Sequence, residues 1–162
     1  MLDALASAGV TYLPYLPDGV LAPLVAQAND RPEFSVIPLT REEEGVGIAS
    51  GVYLGGGRAV LAMQVSGLGN SLNAIGSLAM AQRIPLLMLI TERGGLGETV
   101  STQVPFGAAA RRVLEAVGVP TFDLADEDDI PFVVRGAAEL AYTSRVAVAM
   151  IVKAQLLSGG AA

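Results

Sequence analysis

The stretch "TREEEGVGIASG", residues 40–51, sets three consecutive glutamates at the head of a segment that then turns apolar and glycine-rich. Thr40 can act as an N-cap, with Glu43 three residues on as its capping-box partner. Acids in a first turn also suit the positive end of the helix dipole. On that reading the glutamates only start a helix. Helical spacing nevertheless separates them. At 3.6 residues per turn, Glu42 shares a face with Val46, Ala49 and Tyr53. Glu43 falls with Gly47 and Ser50 on a more polar side, and Glu44 lies between Ile48 and Gly51. A carboxyl on the apolar stripe loses water, and desolvation favours its protonated form. Such a group can carry or share a proton near neutral pH, as catalytic carboxyls do. Spacing alone leaves both readings standing.

Around this helix, expected over 41–55, the chain alternates. A helix at 1–9 precedes a strand near 11–16. "PDG" at 17–19 turns into a helix over 20–29, and "FSVIPL" reads as a strand. After the break "GGG" come a strand at 59–65, a loop "SGLGN", and a helix reaching about residue 82. A strand at 85–90 leads into a long irregular loop, "TERGGLGETVSTQVPFG", of a length that is often functional in compact domains. Helices near 108–117 and 126–142 then alternate with strands near 119–123 and 145–152. The pattern predicts a doubly wound α/β fold, with a mainly parallel sheet of about six strands covered by helices on both faces. The expected organisation is one domain over 1–155 and a flexible tail over 156–162.

Composition narrows the chemistry. Of 162 residues 52% are hydrophobic, and the mean hydropathy is +0.52. The apolar runs "AVLAMQV", "IPLLMLI" and "RVAVAMIV" fall well short of the roughly 18 residues of a membrane span. Such runs suit strands covered on both faces. The excess apolarity fits either a well-packed small-residue core or a large subunit interface. The chain contains no cysteine and no histidine. Disulfides, thiolate or imidazole metal sites and Ser-His-Asp catalysis are thereby excluded. A net charge of −6 argues against nucleic acid as a partner. The N-terminus "MLDALASAGV" lacks the basic segment of a signal peptide, so a cytoplasmic location is expected.

Two further stretches carry candidate site residues. "VSGLGNSLN" follows a strand and opens a helix. Its glycines would let backbone N–H groups approach an anion at the helix N-terminus. Gly67-Leu68-Gly69 lacks the third glycine of a dinucleotide fingerprint, however, and a lone G-x-G is a weak signal. A tight strand-to-helix turn explains it equally well. Gln64, Ser66 and Asn70 still cluster at the carboxyl end of a strand, where open α/β sheets bind ligands. The long loop supplies Arg93, Glu98 and Gln103. It should lie at the same sheet edge, although a solvated surface loop would read the same way.

Taken together, "TREEEGVGIASGVYLGGGRAVLAMQVSGLGNSLNAIGSL", "PLLMLITERGGLGE" and "QVPFG" resemble the pyrimidine-binding domains of thiamine-diphosphate-dependent decarboxylases of the sulfopyruvate and phosphonopyruvate type, the former as a separate alpha subunit. The resemblance runs from "AGVTYLPYLPDGVLAPL" to about residue 151 and is most specific over 40–73. It implies a cofactor, thiamine diphosphate, and a role for Glu42, which stands nine residues before Gly51. In this family a glutamate there hydrogen-bonds a ring nitrogen of the aminopyrimidine and lets the cofactor form its carbon nucleophile, which attacks a 2-oxo acid. The resemblance also implies that Gln64, Ser66, Gly67 and Asn70 line the cofactor site, with Arg93 and Gln103 toward the substrate.

The family's diphosphate site needs a Gly-Asp-Gly motif and a downstream asparagine pair, and this chain has neither. The resemblance therefore implies no metal site in this chain. Mg2+ and the diphosphate would be held by a diphosphate-binding beta subunit, in a hetero-oligomer such as α2β2 or larger. Two positions depart from the pattern. Glu92 stands where relatives have histidine or tryptophan, and Val65 where they often have asparagine. An acid beside the substrate would repel a sulfonate or phosphonate, so either Arg93 compensates or Glu92 points away. These departures keep open a carboligase or 2-hydroxyacyl-CoA lyase, and fold alone keeps open a non-catalytic binding module.

Overall fold

In the computed structural model, residues 1–157 are described. Helix α1 (Leu2–Ser7) leads to β1 (Tyr12–Tyr15), α2 (Ala22–Asn29), β2 (Ser35–Pro38) and α3 (Glu42–Leu54). Strand β3 (Val60–Gln64) runs directly into α4 (Val65–Ala74), which continues as a π-helical segment over Ile75–Met80. Then come β4 (Leu86–Thr91), a 3-10 turn (Ser101–Gln103), α5 (Val104–Ala116), β5 (Thr121–Leu124), α6 (Ile130–Ser144), β6 (Ala147–Val152) and a short α7 (Ala154–Leu157). The six strands form one sheet in the order β2-β1-β3-β4-β6-β5, and every pairing is parallel.

The three apolar runs become β3, β4 and β6, the middle of the sheet. Each is buried along nearly its whole length. Period-two alternation splits their side chains between two cores. Leu61, Met63, Met88, Ile90 and Ile151 pack with α3, α4 and α5. Val60, Ala62, Leu87, Leu89 and Met150 pack with α1, α2 and α6 on the opposite face. Each fully buried Leu, Met or Ile contributes about 1.5–3 kcal/mol, so burial on both faces fixes the strand register. No helix among the described residues is long and apolar enough to cross a membrane.

Strand β2 lies on one side of β1 and β3 on the other. The winding direction reverses at β1, and a crevice opens there at the carboxyl ends of the strands. Both α3 and α4 begin at that edge.

The structure corrects several local expectations. "SGLGN" is not a loop. Gln64 is already extended, at φ −75° and ψ 153°, and residues 65–69 form the first turns of α4. The long loop ends earlier than expected, because 101–107 are helical. Helix α6 starts at Ile130 rather than 126, and it stops at Arg145, whose φ of 53° is left-handed. Leu157, within the expected tail, is buried against the core. The rest of the expected tail, 158–162, lies outside the described residues.

Candidate active site

Helix α3 begins one residue later than the capping reading placed it. Arg41, extended at φ −144° and ψ 148°, is the N-cap. Glu44, not Glu43, closes the turn: its Oε2 accepts from Thr40 N at 2.9 Å and Arg41 N at 3.3 Å. Glu43 instead pairs with the Arg41 side chain at 2.7 Å. The shift follows from reach, since with Arg41 as N-cap the N3 acid is Glu44. Thr40 therefore supplies a backbone donor rather than the cap.

These two acids hold the outside of the turn and leave Glu42 facing inward. It is 7% exposed, beside the buried Val46 and Ala49, on the stripe that helical spacing predicts. Its Oε2 accepts from Asn70 Nδ2 at 3.0 Å. No donor among the described residues reaches its Oε1. Close approach is possible because residue 67 is glycine. A Cβ there would lie 2.7 Å from Glu42 Oε1 and 2.8 Å from Cδ, inside van der Waals contact. Gly45 does the same for α3 against the sheet, where a Cβ would meet Leu39 Cδ1 at 2.8 Å. Gly69 lets the Phe106 ring lie against α4. Gly67 thus lets the N-termini of α3 and α4 meet around one carboxylate, while Gly69 admits α5.

A second polar group stands beside the first. Gln64, at the end of β3, donates from Nε2 to Ser66 Oγ at 2.6 Å and to Gln103 Oε1 at 2.9 Å. Its Oε1 accepts from Arg93 Nη1 at 3.3 Å. Glu98 grips Arg93 in a fork, Nε to Oε2 and Nη2 to Oε1, both at 2.8 Å. The same carboxylate accepts from Gly94 N at 3.0 Å and Val100 N at 2.9 Å. The Arg93 guanidinium, followed by those two amides, holds the Glu98 carboxyl far below the usual carboxylate range. Glu98 in turn raises the Arg93 pKa. The loop can close this way because Gly94 and Gly97 adopt φ of +78° and +86°.

The structure therefore brings Glu42, Gly67 and Asn70 into one cluster, and Gln64, Ser66, Arg93 and Gln103 into a neighbouring one. The ion-pair role of Glu98 was not legible in the sequence. Glu92 makes no hydrogen bond to either cluster, although it lines the same cavity as Arg93; its carboxylate lies 3.3 Å from Arg111, which also holds Asp123 at 2.6 Å. Val65 is buried in the core. Sequence reasoning also missed Thr91, fully buried at the end of β4 in register with Gln64, whose Oγ1 has no partner among the described residues. Asp18, from "PDG", accepts from Val20 N at 2.9 Å, while its Oδ2 is buried without a partner among the described residues.

Comparison with known proteins identifies the family. Residues 1–100 match the thiamine pyrophosphate enzyme, N-terminal TPP binding domain. The chain is 40% identical over 151 residues to the sulfopyruvate decarboxylase subunit alpha of Methanococcus maripaludis, covering 93% of this chain and 90% of that one. It is 32% identical to the corresponding subunit of Methanocaldococcus jannaschii, covering 92% and 88%. A phosphonopyruvate decarboxylase of Streptomyces viridochromogenes is 36% identical over 98 residues, 60% of this chain and 25% of the relative. Among solved structures, a 2-oxoglutarate:ferredoxin oxidoreductase from Magnetococcus marinus superposes with a TM-score of 0.76 over 95% of this chain and 28% of that one. At 17% identity that likeness supports the fold alone. The chain belongs to the thiamine pyrophosphate enzyme N-terminal TPP binding domain family, among relatives that are sulfopyruvate decarboxylase alpha subunits.

Proposed function

We propose that this chain is the pyrimidine-binding subunit of a two-chain thiamine-diphosphate-dependent enzyme that decarboxylates a small 2-oxo acid of the sulfopyruvate type. The observation that carries the reading is Glu42: a buried carboxylate with one oxygen held by Asn70 and the other without a protein donor among the described residues. That leaves the free acceptor a protonated aminopyrimidine ring nitrogen needs, and the glycine at 67 keeps side-chain bulk away from it. When bound, thiamine diphosphate supplies the carbon nucleophile and the electron sink for loss of carbon dioxide. Glu42 holds or accepts the proton at the ring nitrogen, in a site where burial strengthens that hydrogen bond. Asn70 fixes the carboxylate's rotamer. Gln64, Ser66 and Gly67 shape the wall next to it. Arg93 and Gln103 face the substrate.

The chain has neither the Gly-Asp-Gly motif nor the asparagine pair expected for the diphosphate and Mg2+. In this reading a diphosphate-binding beta subunit supplies both, in an α2β2 or larger cytoplasmic assembly. One relative supports the division of labour: this chain spans 33% of the sulfopyruvate decarboxylase of Methanosarcina acetivorans. The departures that pointed to a carboligase or lyase carry little weight, because Glu92 turns to Arg111 and Val65 lies in the core.

The test is Glu42→Gln, co-expressed with the beta subunit and assayed with a panel of 2-oxo acids. Loss of a proton-transferring group costs about 10²–10⁴ in turnover, while co-purification of the two chains should persist. Turnover near the wild-type level would remove Glu42 from its role.

A further inference from the structure

We propose that Lys153 acts with Arg93 as a second cation that receives an anionic tail on the substrate. The proposal rests on the decarboxylase reading above and names the residue that selects for the anionic tail of the proposed substrate. Both residues follow adjacent strands. Thr91 of β4 is in register with Val152 of β6, and Glu92 N donates to Val152 O at 2.9 Å. The two chains therefore leave the sheet side by side. Arg93 and Lys153 then line one cavity of about 610 Å³, whose remaining wall includes Val20 and the glycines of the 94–97 turn. That volume falls within the roughly 300–1,000 Å³ of small-molecule clefts.

The distribution of charge around the cavity singles out Lys153. Arg93 is already committed. Three of the five N–H groups of its guanidinium go to Glu98 and Gln64. Its charge is matched by Glu98 and is also felt by Asp18. Arg93 keeps two N–H directions to offer but little net attraction. Glu92, the other acid in the wall, is drawn off to Arg111. Lys153 is exposed, and among the described residues it enters no ion pair. A sulfonate presents three acceptor oxygens. Two can use the remaining Arg93 fork and the third the ammonium, since charge-assisted bonds are the strong ones. An uncharged alkyl tail gains nothing from Lys153.

The experiment uses the full chain assembled with its beta subunit, thiamine diphosphate and Mg2+. Wild type, Lys153→Met and Lys153→Arg are compared on 3-sulfopyruvate and on 2-oxobutanoate. Inhibition by 3-sulfopropanoate, which carries the tail without the 2-oxo group, is measured alongside. The expected result is a rise of about tenfold or more in KM for sulfopyruvate and in Ki for sulfopropanoate in Lys153→Met, the loss of one charge-assisted contact. The expected kcat stays within about threefold, 2-oxobutanoate is unaffected, and Lys153→Arg recovers most of the loss. Equal effects on both substrates, or none on the inhibitor, overturn the proposal. A wild-type complex that decarboxylates only uncharged 2-oxo acids overturns it too, while leaving the decarboxylase reading in place. A complex that decarboxylates no 2-oxo acid removes both.

Discussion

Glu42, buried, and Glu98, half-buried, are carboxylates at one sheet edge that are held in opposite ways. Glu98, with a side chain 8% exposed, accepts from four donors: two on Arg93 and the amides of Gly94 and Val100. Glu42, 7% exposed, accepts from one, Asn70. The region around Glu98 is complete in itself and fixes a loop. The carboxylate of Glu42 keeps one oxygen without a protein donor among the described residues, open to a donor from outside the chain. The count of protein donors, four against one, is what separates them.

The largest effect should come from closing the gap beside Glu42. Gly67→Ala would put a methyl 2.7 Å from Oε1 and force α4 or the carboxylate to move. Overpacking of this kind costs about 1–3 kcal/mol. Cofactor-dependent turnover should fall by about 100-fold or more, as for loss of a positioned proton-transferring group. Thermal unfolding and steady-state assays read the two effects separately. Wild-type turnover in this variant would mean the helices can part without consequence, and the contrast with Glu98 would weaken.

A smaller effect is expected from Glu98→Gln. Amide hydrogen exchange over 94–100 should speed up by about tenfold or more, as a local unit loses its tie, and kcat/KM should drop by a smaller factor. The pH dependence has a definite sign. Because the folded-state pKa of Glu98 is depressed, its contribution is full above the unfolded carboxylate value of about 4.3. It declines as pH falls toward the depressed value. The Tm gap between wild type and Glu98→Gln should therefore be constant from pH 5 to 8 and shrink in stronger acid. A gap that grows in acid would assign Glu98 another role. Least affected should be Arg111→Ala, which removes exposed pairs to Glu92 and Asp123. Such pairs are worth under about 1 kcal/mol; a larger loss in chemical denaturation would show that the α5 network stabilises more than its exposure suggests.

The sheet was legible in the sequence because its three central strands are continuous apolar runs, and burial on both faces leaves such runs few alternatives. The inward face of Glu42 was legible from helical spacing alone. "SGLGN" was not, because glycine, serine and asparagine are poor helix formers. Its helix is held by tertiary contacts: Gly67 against Glu42 and Gly69 against Phe106. The cap was misplaced by one residue, since Thr40 and Arg41 both precede acids at suitable spacing and only the extended backbone at Arg41 decides between them. Glu98 was visible as a loop residue but not as the loop's anchor. Its four partners depend on the two left-handed glycines, whose conformation local sequence does not specify.

The turn between Gly94 and Glu98 ends in Leu96, which is fully exposed, while the residues on either side are tied down. Glu98 fixes one end. At the other, a Cβ on Gly94 would meet Val104 Cα at 3.0 Å, and one on Gly107 would meet Gly94 Cα at 3.1 Å, so loop and helix touch backbone to backbone. The chain contains no cysteine. Leu96→Cys would thus create a single thiol on a rigid mount beside the site. A fluorophore placed there would report the arrival of a partner subunit or substrate as a change in emission, with no other thiol in this chain to compete for the dye.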